Sequence, residues 1–352
     1  MEFGVQFFPD VSPAQVPGDR YFSESLRVVD RADDLGFTHV RIVEHYFHQY
    51  GGYSPNPLIF LSAAAQRTKK ARLVVGALLP IFNNPLKLAG EIGMVDAISG
   101  GRLDVGFARA FLPHEFRRFG VSPDESVARF REGIEQIELL LTKENVSHDG
   151  KFHKIIETTS LPRPVQLPRP KFYIAAIGTP ESFEFAGRGG HAVMAIPMGG
   201  GKVKELLKIY RDAWRAAGHP GNGEVMLAFH MFCHRDSARA KEIAKAPLES
   251  YLHSLVESAG DWVTGTSSKD YPGYDKLIAG LKAQTMDSLI KSGSAWIGSP
   301  QELRDVIHRV ADETGGFEHA SLQINFSTLP LDEALRSMEL FSAEVMPDFR
   351  AK

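Results

Sequence analysis

Eight short β-rich runs recur along this chain, and longer stretches with apolar residues at helical spacing separate them. That alternation limits the fold more than any other feature, because repeated strand–helix units pair their strands in parallel and cover the sheet with helices. The runs are Phe3 to Phe8, His39 to Val43, Arg72 to Leu79, Leu103 to Ala108, Lys171 to Ala176, Ala192 to Ile196, Val225 to Cys233 and Ser321 to Phe326. Eight parallel strands fit a closed (β/α)8 TIM barrel better than an open sheet. A chain of 352 residues is long enough for such a barrel, typically about 250 residues, with insertions.

Several connecting helices have clear ends. Ser23 to Leu35 stops at Gly36, a natural left-handed cap directly before the second strand. Asp124 to Leu141 places Phe130, Ile134, Ile137 and Leu141 on one face, behind an acidic start that complements the helix dipole. From about Ala246 to Trp296, helical pieces are broken by Gly260, by the polar run Thr264 to Asp270 and by Pro272-Gly273. This stretch is too long for a plain connection and reads as an excursion between the seventh strand and its helix. Four prolines in Leu161 to Pro170 mark an extended connector before the fifth strand. Residues 1–352 read as a single barrel domain, without internal repeat or linker.

Composition narrows the class further. With 43% apolar and 24% charged residues the chain is an ordinary globular protein, and its net charge of −3 leaves no basic stripe for nucleic acid. The longest apolar runs fall short of the roughly 20 residues that span a bilayer, and the first residues lack a basic leader. A cytoplasmic protein is expected, and the single cysteine, Cys233, is compatible with a reducing compartment.

In a barrel of this kind chemistry sits where strands end, at the carboxyl mouth. The second strand runs into Glu44-His45-Tyr46-Phe47-His48, the fourth into Arg109-Ala110-Phe111, and the fifth ends at Ala176 before Ile177-Gly178-Thr179-Pro180-Glu181-Ser182. His45 is the sharpest candidate, since an imidazole exchanges protons near neutral pH; Glu44 beside it either holds a polar ligand group or closes a loop. Arg109 suits bidentate recognition of a phosphate, and Arg129 in the next helix is placed to turn back toward the same mouth. Gly178 and Thr179 open a helix over Pro180 to Arg188 whose free N–H groups form an anion site, with Ser182 adding a hydroxyl. His48 and His114 read as surface loop residues. Phe8, Phe47, Phe82 and Phe111 follow strands and suggest an apolar pocket.

Other motifs fail. Gly199-Gly200-Gly201-Lys202 lacks the first glycine and the Ser or Thr of a phosphate loop, and reads as a flexible loop. No glycine-rich fingerprint follows the first strand, His45 and His48 lack a third metal ligand, and Glu44 has no opposed carboxylate for glycoside hydrolysis.

Taken together, Phe3-Gly4, Gly36-Phe37, Glu44-His45-Tyr46-Phe47, Ser99-Gly100-Gly101-Arg102, Gly106-Phe107-Ala108-Arg109, Glu115-Phe116, Phe119-Gly120 and Val345-Met346-Pro347 resemble the bacterial luciferase-like flavin-dependent monooxygenases. The resemblance covers essentially the whole chain. It implies a barrel that binds FMN as FMNH2 at the mouth, where O2 adds to form a flavin peroxide that oxidises a small, largely apolar organic molecule. It carries a catalytic role to His45, with Glu44 beside it. It carries FMN phosphate binding to Arg109, Arg129, Gly178 and Thr179, with Ala176 and Ser182 next to them. It sets backbone after the third strand against the flavin ring, through a non-prolyl cis peptide matched here to Leu78-Leu79. A separate flavin reductase is expected, as is a homodimer packed through Ser23 to Leu35, Pro57 to Lys69 and Pro85 to Ser99. Gly260 to Gly273 has the composition of a lid. Ala108 replaces a reactive cysteine of the light-emitting members and Tyr46 a second histidine, so the wider monooxygenase class is expected rather than light emission. The alternatives are a deazaflavin-dependent oxidoreductase of the same superfamily and a non-catalytic flavin-binding subunit.

Overall fold

The computed structural model describes residues 1–197 and 201–349, so Gly199 and Gly200 of the triple-glycine run lie outside the described residues. Its strands and helices alternate as β1 (Glu2–Phe7), α1 (Gly18–Leu35), β2 (His39–Ile42), α2 (Pro57–Arg67), β3 (Arg72–Leu78), α3 (Pro85–Ser99) and β4 (Leu103–Phe107). Two helices follow, α4 (Pro113–Phe119) and α5 (Ser126–Thr142), then β5 (Lys171–Ala176), α6 (Pro180–Arg188), β6 (Ala192–Ala195), α7 (Lys202–Ala216) and β7 (Val225–Cys233). The last barrel strand is β8 (His319–Gln323). All eight pair in parallel, each with its sequence neighbour, and β8 pairs with both β7 and β1, which closes the ring. The barrel expected from sequence is therefore present, with strand ends within three residues of expectation.

The period of two along each strand sorts side chains between the barrel axis and the surrounding helices. On β1, Phe3 meets Phe341 edge-on at 5.3 Å and Phe7 meets Phe60 at 5.1 Å, so both pack outward under helices. Gly4 then faces the axis, where an added Cβ would strike the His39 ring. Helix starts follow their sequence signals: the Asn56 and Asn84 side chains accept from the backbone N–H of Leu58 and Leu86, with proline next to each cap.

The excursion differs from the expectation at its start. One helix, α8, runs from Ser237 to Ser258 straight through Ala246, and Pro247 is buried on the same side as Leu248, Tyr251 and Leu252. Short helices follow at Asp261–Thr264, Tyr274–Lys282 and Met286–Ser292, before the helix of the seventh unit at Pro300–Thr314. Between them Ala295–Gly298 adds a short strand along His230 to Cys233 of β7. The connector before β5 also contains a hairpin, Val146–Asp149 against Lys154–Thr158. Among the described residues no helix is long and apolar enough to cross a membrane.

The amino ends of the strands are closed by charge. His319 pairs with Glu2 at 3.2 Å and Glu224 at 3.1 Å, and Lys171 reaches Glu224 at 2.7 Å. Burial alone lowers the His319 imidazole, but its bonds to the two carboxylates outweigh that and carry it up to about 9.

Candidate active site

A cavity of about 250 Å³ opens at the carboxyl ends of the strands. Small residues, among them Ala77, Ala108, Ala175 and Ala195, leave its walls flat, while Phe8 and Phe111 supply aromatic faces. The other two expected aromatics lie elsewhere: Phe47 is 53% exposed, and Phe82 stacks on Phe119 at 4.6 Å.

His45 and Glu44 both line this cavity. The Glu115 carboxylate, fully buried on α4, lies with one oxygen 3.1 Å from His45 Nδ1 and accepts from the Tyr46 N–H at 2.9 Å. Because that oxygen already accepts from a backbone N–H, it faces the ring as an acceptor, which matches the imidazole form with hydrogen on Nδ1 and leaves Nε2 for other partners. Glu44 is held differently. Its carboxyl accepts from Tyr46 Oη, Asn83 Nδ2 and the Leu79 N–H, yet burial outweighs these bonds and pushes it up to about 7. Two adjacent acidic groups thus sit in unlike settings, one orienting a histidine and one poised to change protonation near neutrality.

On the other side stands Arg109. Among the described residues it has no ion-pair partner; Nη1 donates to the Asp270 carbonyl at 3.0 Å and the guanidinium lies 5.1 Å from the Tyr271 ring centre. The Tyr271 hydroxyl donates to the carbonyls of Arg109 and Ala110. The Asp270 carboxylate in turn accepts from Val127 N at 3.0 Å at the start of α5. The stretch Gly260 to Gly273 is thereby fastened across the Arg109 edge of the mouth. Thr179, Ser182 and Ala176 also line the cavity, and the Thr179 side chain makes no cap bond to α6, which leaves its hydroxyl unengaged by the helix start.

Other expected residues are placed elsewhere. Arg129 pairs with Glu125 at 2.9 Å, stacks over Phe152 at 4.2 Å and does not reach the cavity wall. Gly178 stands between two lining residues, Ile177 and Thr179, without lining the cavity itself. The non-prolyl cis peptide is Gly76-Ala77, not Leu78-Leu79. Leu79 lines the cavity, but Leu78 points into the core beneath the helices, because alternation along β3 turns every second residue outward. His114 is no surface residue: it is buried, with Nε2 at 2.9 Å from the Tyr46 carbonyl.

A model of the family described as luciferase-like monooxygenase matches residues 1–317. The chain belongs to that family. It is similar to the oxygenase component of the flavin-dependent trigonelline monooxygenase of Acinetobacter baylyi, 30% identical over 336 residues that cover 93% of this chain and 90% of the relative. Among solved structures it is similar to monooxygenase RslO1 from Streptomyces bottropensis, with TM-score 0.89, 40% identity, and 99% and 100% of the two chains covered. The oxygenating constituent of 3,6-diketocamphane monooxygenase from Pseudomonas putida, solved with FMN, shares the fold at TM-score 0.83 and 22% identity, over 100% and 99% of the chains. As a luciferase-like monooxygenase, the chain places its strand-end residues around one mouth. The sequence marks Glu115 only as part of a motif and Asp270 only as the end of a polar run, and gives no sign of Asn83. Glu115, six residues after Arg109 in a segment that also matches the family, carried the one signal available.

Proposed function

We propose that this monooxygenase uses reduced FMN and dioxygen to insert one oxygen atom into a small organic molecule. The arrangement that carries the reading is an arginine that has no carboxylate partner among the described residues and a helix-start hydroxyl without a cap bond on one side of the cavity, with an oriented histidine on the other. The donors fit the cofactor. Arg109, the Thr179 and Ser182 hydroxyls and the first N–H groups of α6 suit a phosphate dianion, and Gly178 allows close approach there. The flat alanine walls near Ala176 and Leu79 suit a planar ring. When bound, reduced flavin supplies the electrons that activate dioxygen. His45 then holds or delivers a proton through Nε2 while Glu115 keeps its ring in place, and Glu44 offers a second group near neutrality. The segment tied to Arg109 by Asp270 and Tyr271 acts as the lid and keeps water from the mouth.

The Acinetobacter relative is by name an oxygenase component, which supports a separate reductase as the source of reduced flavin. Exposed Ile59 and Leu86, Met94 and Ile98 on α2 and α3 support a homodimer through these helices. The test is anaerobic titration of wild-type chain with reduced FMN and with a reduced deazaflavin, then admission of labelled dioxygen with a substrate panel. Tighter binding of FMN and one labelled oxygen in product are expected, both lost or slowed in His45→Ala. Preference for the deazaflavin, or full turnover by His45→Ala, would refute the assignment.

A further inference from the structure

Four polar side chains face the cavity from four consecutive strands, in one continuous row set by strand register. Arg41 on β2 stands opposite Gln6 on β1, Gln6 opposite Gln323 on β8, and Gln323 opposite His230 on β7. All four line the cavity. The remaining half-ring, from β3 to β6, contributes Ala77, Ala108, Ala175 and Met194. The barrel interior is thus divided into a polar wall and an apolar wall. The polar wall lies across the axis from the ends of β4 and β5, which bear Arg109 and Thr179.

Arg41 is the anomaly in this row. Its side chain is buried against Gly76, where an added Cβ would fall 1.9 Å from Nε. Nη1 donates to Gln6 Oε1 and Nη2 to the Gly76 carbonyl at 3.0 Å, both neutral acceptors, while Nε has no partner. Among the described residues no carboxylate pairs with it, and the lining carboxyl Glu44 is already engaged by Tyr46, Asn83 and Leu79. Two of five guanidinium N–H donors are therefore used. Burial lowers Arg41 only to about 10, so it remains a cation at neutral pH, whereas His230 is pushed down to about 3 and stays neutral. Among the described residues His230 Nε2 is also without a partner. The Gln323 amide nitrogen donates to the Phe8 carbonyl at 3.2 Å, so its free Oε1 is an acceptor and adds no donor for an anion. A buried charge without a counter-charge is costly unless a ligand supplies one.

We propose that Arg41, with Gln6 and His230 beside it in this row, is an anion subsite that binds the carboxylate of the organic substrate, with the rest of that molecule against the apolar wall. This refines the expectation of a largely apolar substrate to one with an apolar body and one acidic end. It rests on the proposed oxygenation for the statement that the bound acid is the molecule oxidised. Reduced flavin, whose pyrimidine edge carries a delocalised negative charge, offers related chemistry and is the competing source.

The experiment compares benzoate with its neutral isostere benzamide, by calorimetry on the full chain, in wild type, Arg41→Met, Arg41→Lys and Arg109→Met. Melting curves confirm that each variant is folded. Wild type is expected to prefer benzoate by about tenfold or more, the difference a charge-assisted hydrogen bond makes. Arg41→Met abolishes that preference, Arg41→Lys keeps part of it should the methionine variant not fold, and Arg109→Met leaves it intact. Equal binding of the two probes by wild type, or a preference that survives Arg41→Met and vanishes in Arg109→Met, overturns the subsite. Reduced and oxidised FMN are titrated in the same samples. Loss of discrimination between them in Arg41→Met, with benzoate unaffected, assigns the charge to flavin and overturns the substrate carboxylate. Wild type that prefers benzoate but binds no flavin leaves the subsite standing and refutes the proposed function instead.

Discussion

Glu44 makes the stability of this barrel depend on pH in a way that one substitution isolates. The residue is 3% exposed and burial carries its carboxyl from an ordinary 4.5 to about 7, despite three hydrogen bonds to its oxygens. A raised acid pKa means the folded state binds more protons than the unfolded state, so stability falls as pH rises. The fall begins near 4.5, where the unfolded chain ionises, and is complete above about 7. At 1.36 kcal/mol per pH unit this amounts to about 3 kcal/mol. Glu44→Gln keeps the size and removes the titration. Urea unfolding of both proteins from pH 4 to 8.5 reads the effect as a difference, which cancels Asp10, a buried carboxyl also pushed up to about 7. The wild type should lose about 3 kcal/mol relative to Glu44→Gln across this range. A difference that stays flat would show that hydrogen bonds balance burial, and one that grows in favour of the wild type as pH rises would show that they outweigh it.

Further outcomes follow from the same geometry. Glu115→Gln should lower turnover by at least about tenfold with flavin affinity unchanged, since it touches His45 and the Tyr46 N–H but not the cavity's Arg109 side; stopped-flow turnover and a binding titration separate the two. Arg109→Met should weaken FMN binding by about tenfold to a hundredfold, while Arg129→Met stays within about threefold because Arg129 is engaged by Glu125 at the surface; fluorescence titration checks both. His319, raised to about 9, stabilises the amino end of the barrel fully below its ordinary 6.5 and loses that contribution as pH rises through about 9. Relative to His319→Gln, wild type should lose about 3 kcal/mol between pH 6 and 10 in the same unfolding assay.

The barrel is legible in the sequence because its signals are local. Each strand is a short run bounded by turn residues, and a cap such as Gly36, at φ 77°, ends a helix whatever packs against it. The excursion is less legible: from sequence it starts at about Ala246, whereas α8 runs from Ser237 through that point, with Pro247 inside it on the buried side shared with Tyr251 and Leu252. The site divides along this line. His45, Glu44, Arg109 and Thr179 follow strands within three residues, so the rule that strand ends face the mouth brings them to the cavity, and Ser182 reaches it from the first turn of α6. Arg129 lies off the cavity wall, because a helical residue's reach depends on the neighbours it meets, and Glu125 and Phe152 engage it first.

The polar row shows what no spacing rule can reach. Its members stand at positions 6, 41, 230 and 323, on strands with no helical or strand periodicity relating them, and only the register of a closed ring brings them level. A ring of eight parallel strands gives every mouth two facing half-walls, and here they differ: alanines and a methionine on one, amides, an imidazole and an unpaired guanidinium on the other. Gly76 joins the two, since its missing side chain leaves room for Arg41 and its carbonyl accepts from it. The barrel therefore sets charge and shape by separate means. Loops after β4 and β5 place Arg109 and Thr179 at the rim, and strand register places a second cation, Arg41, in the facing wall, so a ligand that spans the mouth would meet positive charge at both ends and an apolar surface between them.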